Sequence, residues 1–324
     1  MFRGFSQRWN ALLRYHIIFN ARAGTAATLG ITTDVLAEKF RAAGLDFDLD
    51  ADDERPLEER IAKALESTAG VIVAAGGDGT ATAIASALID RDKSLALLPF
   101  GTANLLARDL RIPLDVDAAI GALSEMQPHR IDVGEVNGRV FLHKAVIGTF
   151  PGIAAVREEM RGDRSLFGKL HFARRSIRRI GRARRIAVEI DLPHSDTRAE
   201  TRAGKRIERV HSVAIANNAY DEGVGRFFSR GRLDRGTLTL YLLKRLSLGG
   251  LVWLALEMLL GRWRQDEALV IEDVTEAVIR TKRREVEVMI DGEVERMAMP
   301  LAFSIRPRAL CVLAPAVDHA SEQA

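Results

Sequence analysis

Val71-Ile72-Val73-Ala74-Ala75-Gly76-Gly77-Asp78-Gly79-Thr80 and, twenty residues on, Leu95-Ala96-Leu97-Leu98-Pro99-Phe100-Gly101-Thr102-Ala103-Asn104 decide the fold. Each stretch is an apolar run of buried-strand length that breaks into a glycine turn, and each turn leads into a helical pattern. Two glycine turns at the ends of neighbouring strands suit phosphate. Glycine lets the backbone come close, and a helix N-terminus presents unpaired N–H groups to an anion. Asp78 puts a negative charge where a phosphate would sit, which makes sense with a cation such as Mg²⁺ between them.

Outward from this pair, the alternation extends in both directions. Residues 15–19 read as a first strand ending at Asn20-Ala21-Arg22-Ala23-Gly24, with a helix at about 30–43 closed by Gly44. Residues 45–50 alternate like a half-exposed strand; a helix fits 56–67, a strand 71–75, a helix 80–90, a strand 95–98 and a helix 103–109. Strand–helix alternation at this spacing implies a mainly parallel sheet. Near residue 131 the pattern becomes β-rich, with strands expected at 131–136, 139–149, 185–192, 206–217, 236–243, 269–279, 285–290 and 302–313. Helices at 165–182 and 247–261 interrupt it, residues 193–204 read as a polar loop, and 316–324 as a frayed tail.

Bulk properties narrow the class. The 324 residues, 47% hydrophobic, are enough for two domains with real cores. Cys311 is the one cysteine, so no intramolecular disulfide forms and a reducing compartment is the natural reading. Met1 to Arg14 lacks the apolar core of a secretory signal. The net charge is +3, but residues 157–185 hold 11 Lys and Arg against 3 acids. Leu246–Gly261 is apolar except for Glu257, yet its 16 residues reach only ~24 Å as a helix, short of a ~30 Å hydrocarbon core. A buried or interfacial helix is the expectation there.

The ordered motifs resemble the diacylglycerol kinase catalytic-domain family, specifically its soluble bacterial lipid kinases. They are Asn20-x-x-Ala23-Gly24, Gly77-Asp78-Gly79-Thr80, Pro99-x-Gly101-Thr102-x-Asn104 with Ala107-Arg108, Ile131-Asp132-Val133-Gly134, Asp291-Gly292-Glu293 and Pro307-x-Ala309-Leu310. The first glycine turn alone is shared with NAD kinases and phosphofructokinases; the set in this order is specific. The resemblance implies an α/β fold: an N-terminal parallel-sheet nucleotide domain, a C-terminal β-sandwich-like domain, and the active site in the cleft between. The boundaries expected are 14–131, completed by a returning segment at about 302–316, and 132–301. The activity implied is transfer of the γ-phosphoryl group of ATP to a lipid hydroxyl.

The resemblance also assigns residues. Asn20, Ala21, Arg22, Ala23, Gly24, Gly76, Gly77, Asp78, Gly79, Thr80, Gly101, Thr102 and Asn104 would bind the nucleotide, Asp78 holding Mg²⁺ with ATP. The competing reading of the turns is helix capping, at Asp78 to Thr80 and at Thr102. Glu293 is favoured as the base that accepts the hydroxyl proton, with Asp291 orienting it or binding metal. Here the competing reading is a hairpin turn, and a tight turn can also present the carboxylates.

Departures from the family pattern are Thr82 and Ala83 in place of Asn-Glu, and Leu105 in place of Asp. Arg235 stands in Leu233-Asp234-Arg235-Gly236, where relatives bind a structural Mg²⁺; its charge would replace the ion. The rival readings are a kinase for a soluble acceptor such as NAD, and a nucleotide-dependent lipid-binding regulatory module with a lapsed site.

Leu166, Leu170, Ala173, Ile177 and Ile180 share one helical face, with arginines off it. The segment 165–185 is therefore expected either to pack on the second domain or to meet an anionic membrane surface. The expected setting is the cytoplasm, peripherally at the inner face of the membrane. Nucleic-acid binding is not expected, because no recognition motif accompanies the charge. A homodimer through the sheets is open, and the histidines show no metal-ligand spacing.

Overall fold

The computed structural model describes residues 14–26, 28–149, 184–193, 204–223, 229–244, 248–260, 262–265 and 268–316. The expected helix at 165–182 and the polar loop at 193–204, but for Pro193 and Gly204, lie outside them, as does the tail from 317. The chain divides into two compact units, Met1–Ile131 with Arg308–Ala324, and Asp132–Pro307.

In the first unit, β1 (Arg14–Phe19), β3 (Val71–Gly76) and β4 (Ser94–Pro99) are buried almost throughout, because helices cover a parallel sheet and leave its strands apolar on both faces. The edge strand β2 (Asp46–Asp50) alternates acidic and apolar residues instead. The order is β2-β1-β3-β4, all parallel. Helix α1 (Thr33–Ala42) is capped by Thr32, whose hydroxyl accepts from Val35 N at 3.3 Å, and buries Leu36, Ala37 and Phe40. Gly44 follows it with φ +69°, the left-handed turn expected after the helix. Helix α2 (Leu57–Glu66) contributes a buried cation: Arg60 donates to the Asp50 carboxylate at 2.8 Å and to the Phe19 and Asp50 carbonyls at 2.8 and 2.7 Å. That bond set ties α2 to the ends of β1 and β2. Helix α3 (Asp78–Leu88) begins two residues earlier than expected, so Asp78, Gly79 and Thr80 form its first turn. Helices α4 (Leu105–Asp109) and α5 (Val116–Ala122) follow, the latter capped by Asp115 and unanticipated in the sequence.

The sheet order places the chain reversal between β1 and β3. Connections leave β1 toward β2 on one side and reach β3 on the other. In open parallel sheets a ligand crevice lies at such a point, outside the carboxyl ends of the strands. The turns at 20–24, 76–80 and 100–104 all follow carboxyl ends of parallel strands.

From β5 (Gln127–Val136) onward the chain is antiparallel, through β6 (Arg139–Phe141), β7 (Lys144–Gly148), β8 (Ile186–Leu192), β9 (Gly204–Val210), β10 (Ser212–Asn217) and β11 (Leu238–Leu243). Helix α6 (Leu248–Leu259) is followed by β12 (Leu269–Val274), β13 (Glu276–Arg280), β14 (Glu285–Ile290), β15 (Glu293–Ala298) and β16 (Leu301–Ala314). One sheet of the second unit runs β12-β11-β10-β7-β14-β15. The other joins β9, β8 and β13 to the first half of β16, with β5 and β6 alongside. Side chains of both sheets, among them Phe141, Ile147, Ile190, Ile215, Leu240, Val288 and Phe303, form one buried cluster, so the unit is a β-sandwich. Strand β16 then passes into the first unit, where Val312 pairs with Leu95 of β4.

Three expected strands proved to be pairs, broken at 142–143, 211 and 275. Strand β15 escaped notice because its sequence, EVERMA, is charged and exposed on an edge that pairs only with β14.

Candidate active site

Three turns of the first unit are bonded into one cradle. Asn20 is part-buried; its Oδ1 accepts from Arg22 N at 3.1 Å and its amide donates to Thr80 Oγ1 at 3.3 Å. Thr25 donates from N to the Phe100 carbonyl at 3.1 Å and from its hydroxyl to the Gly101 carbonyl at 2.9 Å. A Cβ on Gly24 would lie 3.7 Å from Thr102 Oγ1, so these turns are in near contact. A Cβ on Gly101 would meet Gly77 Cα at 2.8 Å and Asn104 Oδ1 at 2.7 Å, and one on Gly76 would meet the Thr80 side chain at 2.7 Å. Glycine is required at 76 and 101 because other chain already occupies the space of a side chain.

The polar residues of the motifs divide by task. The two carboxylate oxygens of Asp78 accept from Asn104 N at 2.9 Å and Leu105 N at 2.7 Å. Asp78 thus starts its own helix and caps the N-terminus of α4. Asn104 adopts a left-handed backbone, φ 48° and ψ 47°; its Oδ1 accepts from Gly101 N at 2.9 Å and its amide donates to the Gly101 and Pro99 carbonyls at 2.8 and 3.3 Å. Asn104 therefore closes its own loop. At the start of α3, Gly77 has no side chain to cap the helix, and Gly79 is exposed. The first-turn N–H groups are left for an outside anion. Ala21 is half-buried and Ala23 buried, whereas Arg22, Thr102 and Ala103 are exposed at the rim.

This cradle fits a nucleotide phosphate. Asp78, the residue expected to hold Mg²⁺ with ATP, accepts one N–H bond on each carboxylate oxygen, and among the described residues no group of three His, Cys, Asp or Glu could hold a metal. Leu105, which departs from the family pattern, contributes its backbone N–H to Asp78, a bond any side chain there would permit.

In the second unit, Asp291-Gly292 is the two-residue turn between β14 and β15, with φ +48° and +103° and Ile290 opposite Glu293. Both positive φ values mark the tight hairpin turn that Asp-Gly favours. The half-buried Asp291 carboxylate accepts from Leu142 N at 2.7 Å, His143 N at 2.9 Å and Lys144 N at 2.8 Å. Burial pushes its pKa above the usual carboxylate range, against those three bonds and the nearby Arg230. Glu293, one residue past the turn, is exposed, and no described residue bonds or pairs with its carboxylate.

Residues that the sequence reading did not single out support this turn. The guanidinium of Arg230, 1% exposed, donates to the Leu142 and Asn217 carbonyls, each at 2.7 Å. Asn217 donates to the carbonyls of Asp132 and Leu142 at 2.8 and 3.2 Å. Burial lowers the pKa of Lys144, which Asp291 raises and Arg230 lowers further. A buried arginine next to no acid in sequence gives little warning of such a role. Two flagged motifs also meet: Asp132 Oδ2 accepts from Gly236 N at 2.6 Å, and Asp132 N donates to the Leu233 carbonyl at 2.7 Å. Arg235, expected to stand in for a structural ion, lies 3.7 Å from the Asp221 carboxylate and pairs with it.

A cavity of about 770 Å³ opens within the second unit. Ile147, Ile186 and Val286 give it apolar wall, Arg184, Lys282, Arg283 and Arg296 give it cations, and Glu285 and Glu287 also line it.

With this geometry in place, the comparisons identify the class: residues 14–136 match the family model of the diacylglycerol kinase catalytic domain. That match covers most of the first unit and the start of the second, and the resemblance read from the motifs stands. Among individual relatives, a diacylglycerol kinase of Staphylococcus saprophyticus is 26% identical over 74% of this chain and 75% of that protein. A Pseudomonas savastanoi protein named "Probable lipid kinase YegS-like" is 40% identical over 36% of this chain, which spans only 38% of its length. The crystal structure of a candidate diacylglycerol kinase from Bacillus anthracis has a TM-score of 0.68 at 21% identity, covering 93% of this chain and 95% of that one. The last match confirms the fold.

Proposed function

We propose that this chain transfers the γ-phosphoryl group of ATP to the hydroxyl of a membrane lipid, a diacylglycerol-like or phosphatidylglycerol-like acceptor, at the inner surface of the membrane. The observation that carries the reading is the cradle of three bonded turns beside an uncapped helix N-terminus, inside a domain that matches a kinase family. Backbone N–H groups of α3 bind phosphate oxygens, and the missing side chains at Gly76 and Gly101 let the turns pack closely. The acceptor oxygen attacks the γ-phosphorus, the bond to the β–γ bridging oxygen breaks, and ADP leaves with that electron pair. Glu293 takes the hydroxyl proton; its carboxylate is exposed and uncommitted, whereas that of Asp291 is consumed by three N–H groups. Asp291 is a positioning residue. Mg²⁺ accompanying ATP would neutralise phosphate charge, and no protein ligand is assigned to it here.

A lipid acceptor is supported by relatives named diacylglycerol kinase and probable lipid kinase. Among the described residues no helix is long and apolar enough to cross a membrane. The test is transfer of label from γ-labelled ATP to a panel of lipids in detergent, with NAD as a soluble control. Labelled lipid supports the proposal. Labelled NAD alone, or nucleotide binding without any product, overturns it.

A further inference from the structure

Among the described residues, eight large apolar side chains are substantially exposed, and four of them lie within eight residues at α6: Trp253 (58%), Leu256 (43%), Leu259 (51%) and Leu260 (55%). At 100° per residue these positions fall within a stripe about 120° wide. Leu260 N donates to the Leu256 carbonyl at 2.9 Å, so the helical turn carries the stripe past the end of α6. Scattered exposed leucines need no explanation, but a contiguous patch of this kind marks an interaction surface.

We infer that this stripe seats α6 in the headgroup–acyl boundary of a bilayer, parallel to its plane. Four observations choose a lipid surface over another occupant. The helix has 12 residues, about 18 Å of rise, too short to span a bilayer and long enough to lie in one leaflet. Cations bracket it: Lys244 and Arg245 precede it, and Arg262, exposed, and Arg264 follow, with Glu257 the one acid from 244 to 264. Apolar residues between flanking cations are complementary to acyl chains below anionic headgroups. Trp253 supplies the amphipathic ring favoured at that depth. Its indole N–H also donates to Glu257 Oε1 at 2.9 Å, which engages the single acid of the helix. Lys244 is partly committed to Glu208 at 3.4 Å, and Asp266 and Glu267 come next in sequence, so the apolar stripe carries most of the binding and charge adds a smaller part.

The inference rests on the lipid-kinase reading and moves the membrane contact from 165–185, of which only Arg184 and Arg185 are among the described residues, to α6. The full chain is floated with vesicles of phosphatidylcholine, and of phosphatidylcholine with equimolar phosphatidylglycerol. Wild type is compared with Trp253→Ser/Leu256→Ser/Leu259→Ser and with Arg262→Glu. The triple variant loses vesicle affinity by on the order of a hundred-fold. Arg262→Glu loses a few-fold, on anionic vesicles only. Phosphorylation of a short-chain diacylglycerol dissolved as monomer checks the fold, and the triple variant keeps it. Vesicle binding by the triple variant equal to wild type overturns the inference, as does absence of wild-type binding. A triple variant that turns an oligomer into a monomer overturns it too, because the stripe would then face a second copy. Failure of the kinase reading is distinct: wild type would bind vesicles and phosphorylate no lipid.

Discussion

The glycine turns of the first unit use their one acidic residue to hold backbone, whereas the Asp291-Gly292-Glu293 turn of the second holds backbone with one acid and leaves the other free. Asp78 sits inside the first motif and spends both oxygens on the N–H groups of the second, at 2.9 and 2.7 Å. Asp291 likewise gives its carboxylate to three N–H groups of the Leu142–Lys144 turn. Glu293, adjacent to the turn and exposed, spends its carboxylate on nothing described. A motif therefore contains carboxylates of two kinds: those that hold backbone in place and those left free to move a proton. Their residue types do not distinguish them; their hydrogen bonds do.

The comparison breaks most visibly at Glu293. Glu293→Gln is expected to lower kcat by about 10²–10⁴-fold while nucleotide affinity and thermal midpoint stay at wild-type values. Steady-state kinetics beside calorimetric ATP titration checks both halves. Asp291→Ala should show the opposite signature. Stripping three buried N–H groups of their acceptor costs about 3 kcal/mol or more, visible as a lower urea midpoint. Asp78→Ala releases two N–H groups and costs about 2 kcal/mol, with weaker ATP binding because the second turn loses its tie to the first. Asp78→Asn keeps one acceptor and falls between. If Asp78 held the metal instead, Asp78→Asn would raise the Mg²⁺ needed at saturating ATP and spare stability. Gly101→Ala forces a methyl to within 2.7 Å of Asn104 Oδ1 and should cost about 1–2 kcal/mol, with a parallel loss of nucleotide affinity.

The smallest expected effect is one of pH. Burial lowers the pKa of His16 in β1, which is 3% exposed and has no partner on either ring nitrogen. A base with a lowered folded pKa binds fewer protons folded than unfolded. Its contribution is therefore present above the ordinary histidine value near 6.5 and is lost as pH falls through that value toward the folded one. His16→Gln should flatten the fall in thermal midpoint over that range. His129 and His211, shifted the same way by burial, would keep the remainder of the slope.

Much of the first unit was legible because its signals are local. Continuous apolar runs fixed β1, β3 and β4, and glycine turns after them placed the cradle. The start of α3 was misplaced by two residues because Asp78 and Gly79 read as turn residues while the helix had already begun. The second unit was legible as antiparallel strands, but β15 was not, since a solvated edge strand needs no apolar alternation. The partners of Asp78, Asp291 and Arg230 were illegible for a single reason. Each bond joins residues that only the folded chain brings together, up to 149 positions apart, and no spacing in the sequence encodes it. The exposure of Trp253 and its neighbours was hidden in the same way, since an apolar run reads alike whether it is covered or bare.

The most direct test of the division between holding and reacting carboxylates is γ-phosphoryl transfer to a detergent-dispersed lipid by Glu293→Gln at saturating ATP, with bound nucleotide quantified on the same sample. Nucleotide bound as in wild type, with turnover reduced by about a hundred-fold or more, is the predicted result. Turnover within a few-fold of wild type would contradict the account and return the proton-accepting role to another residue.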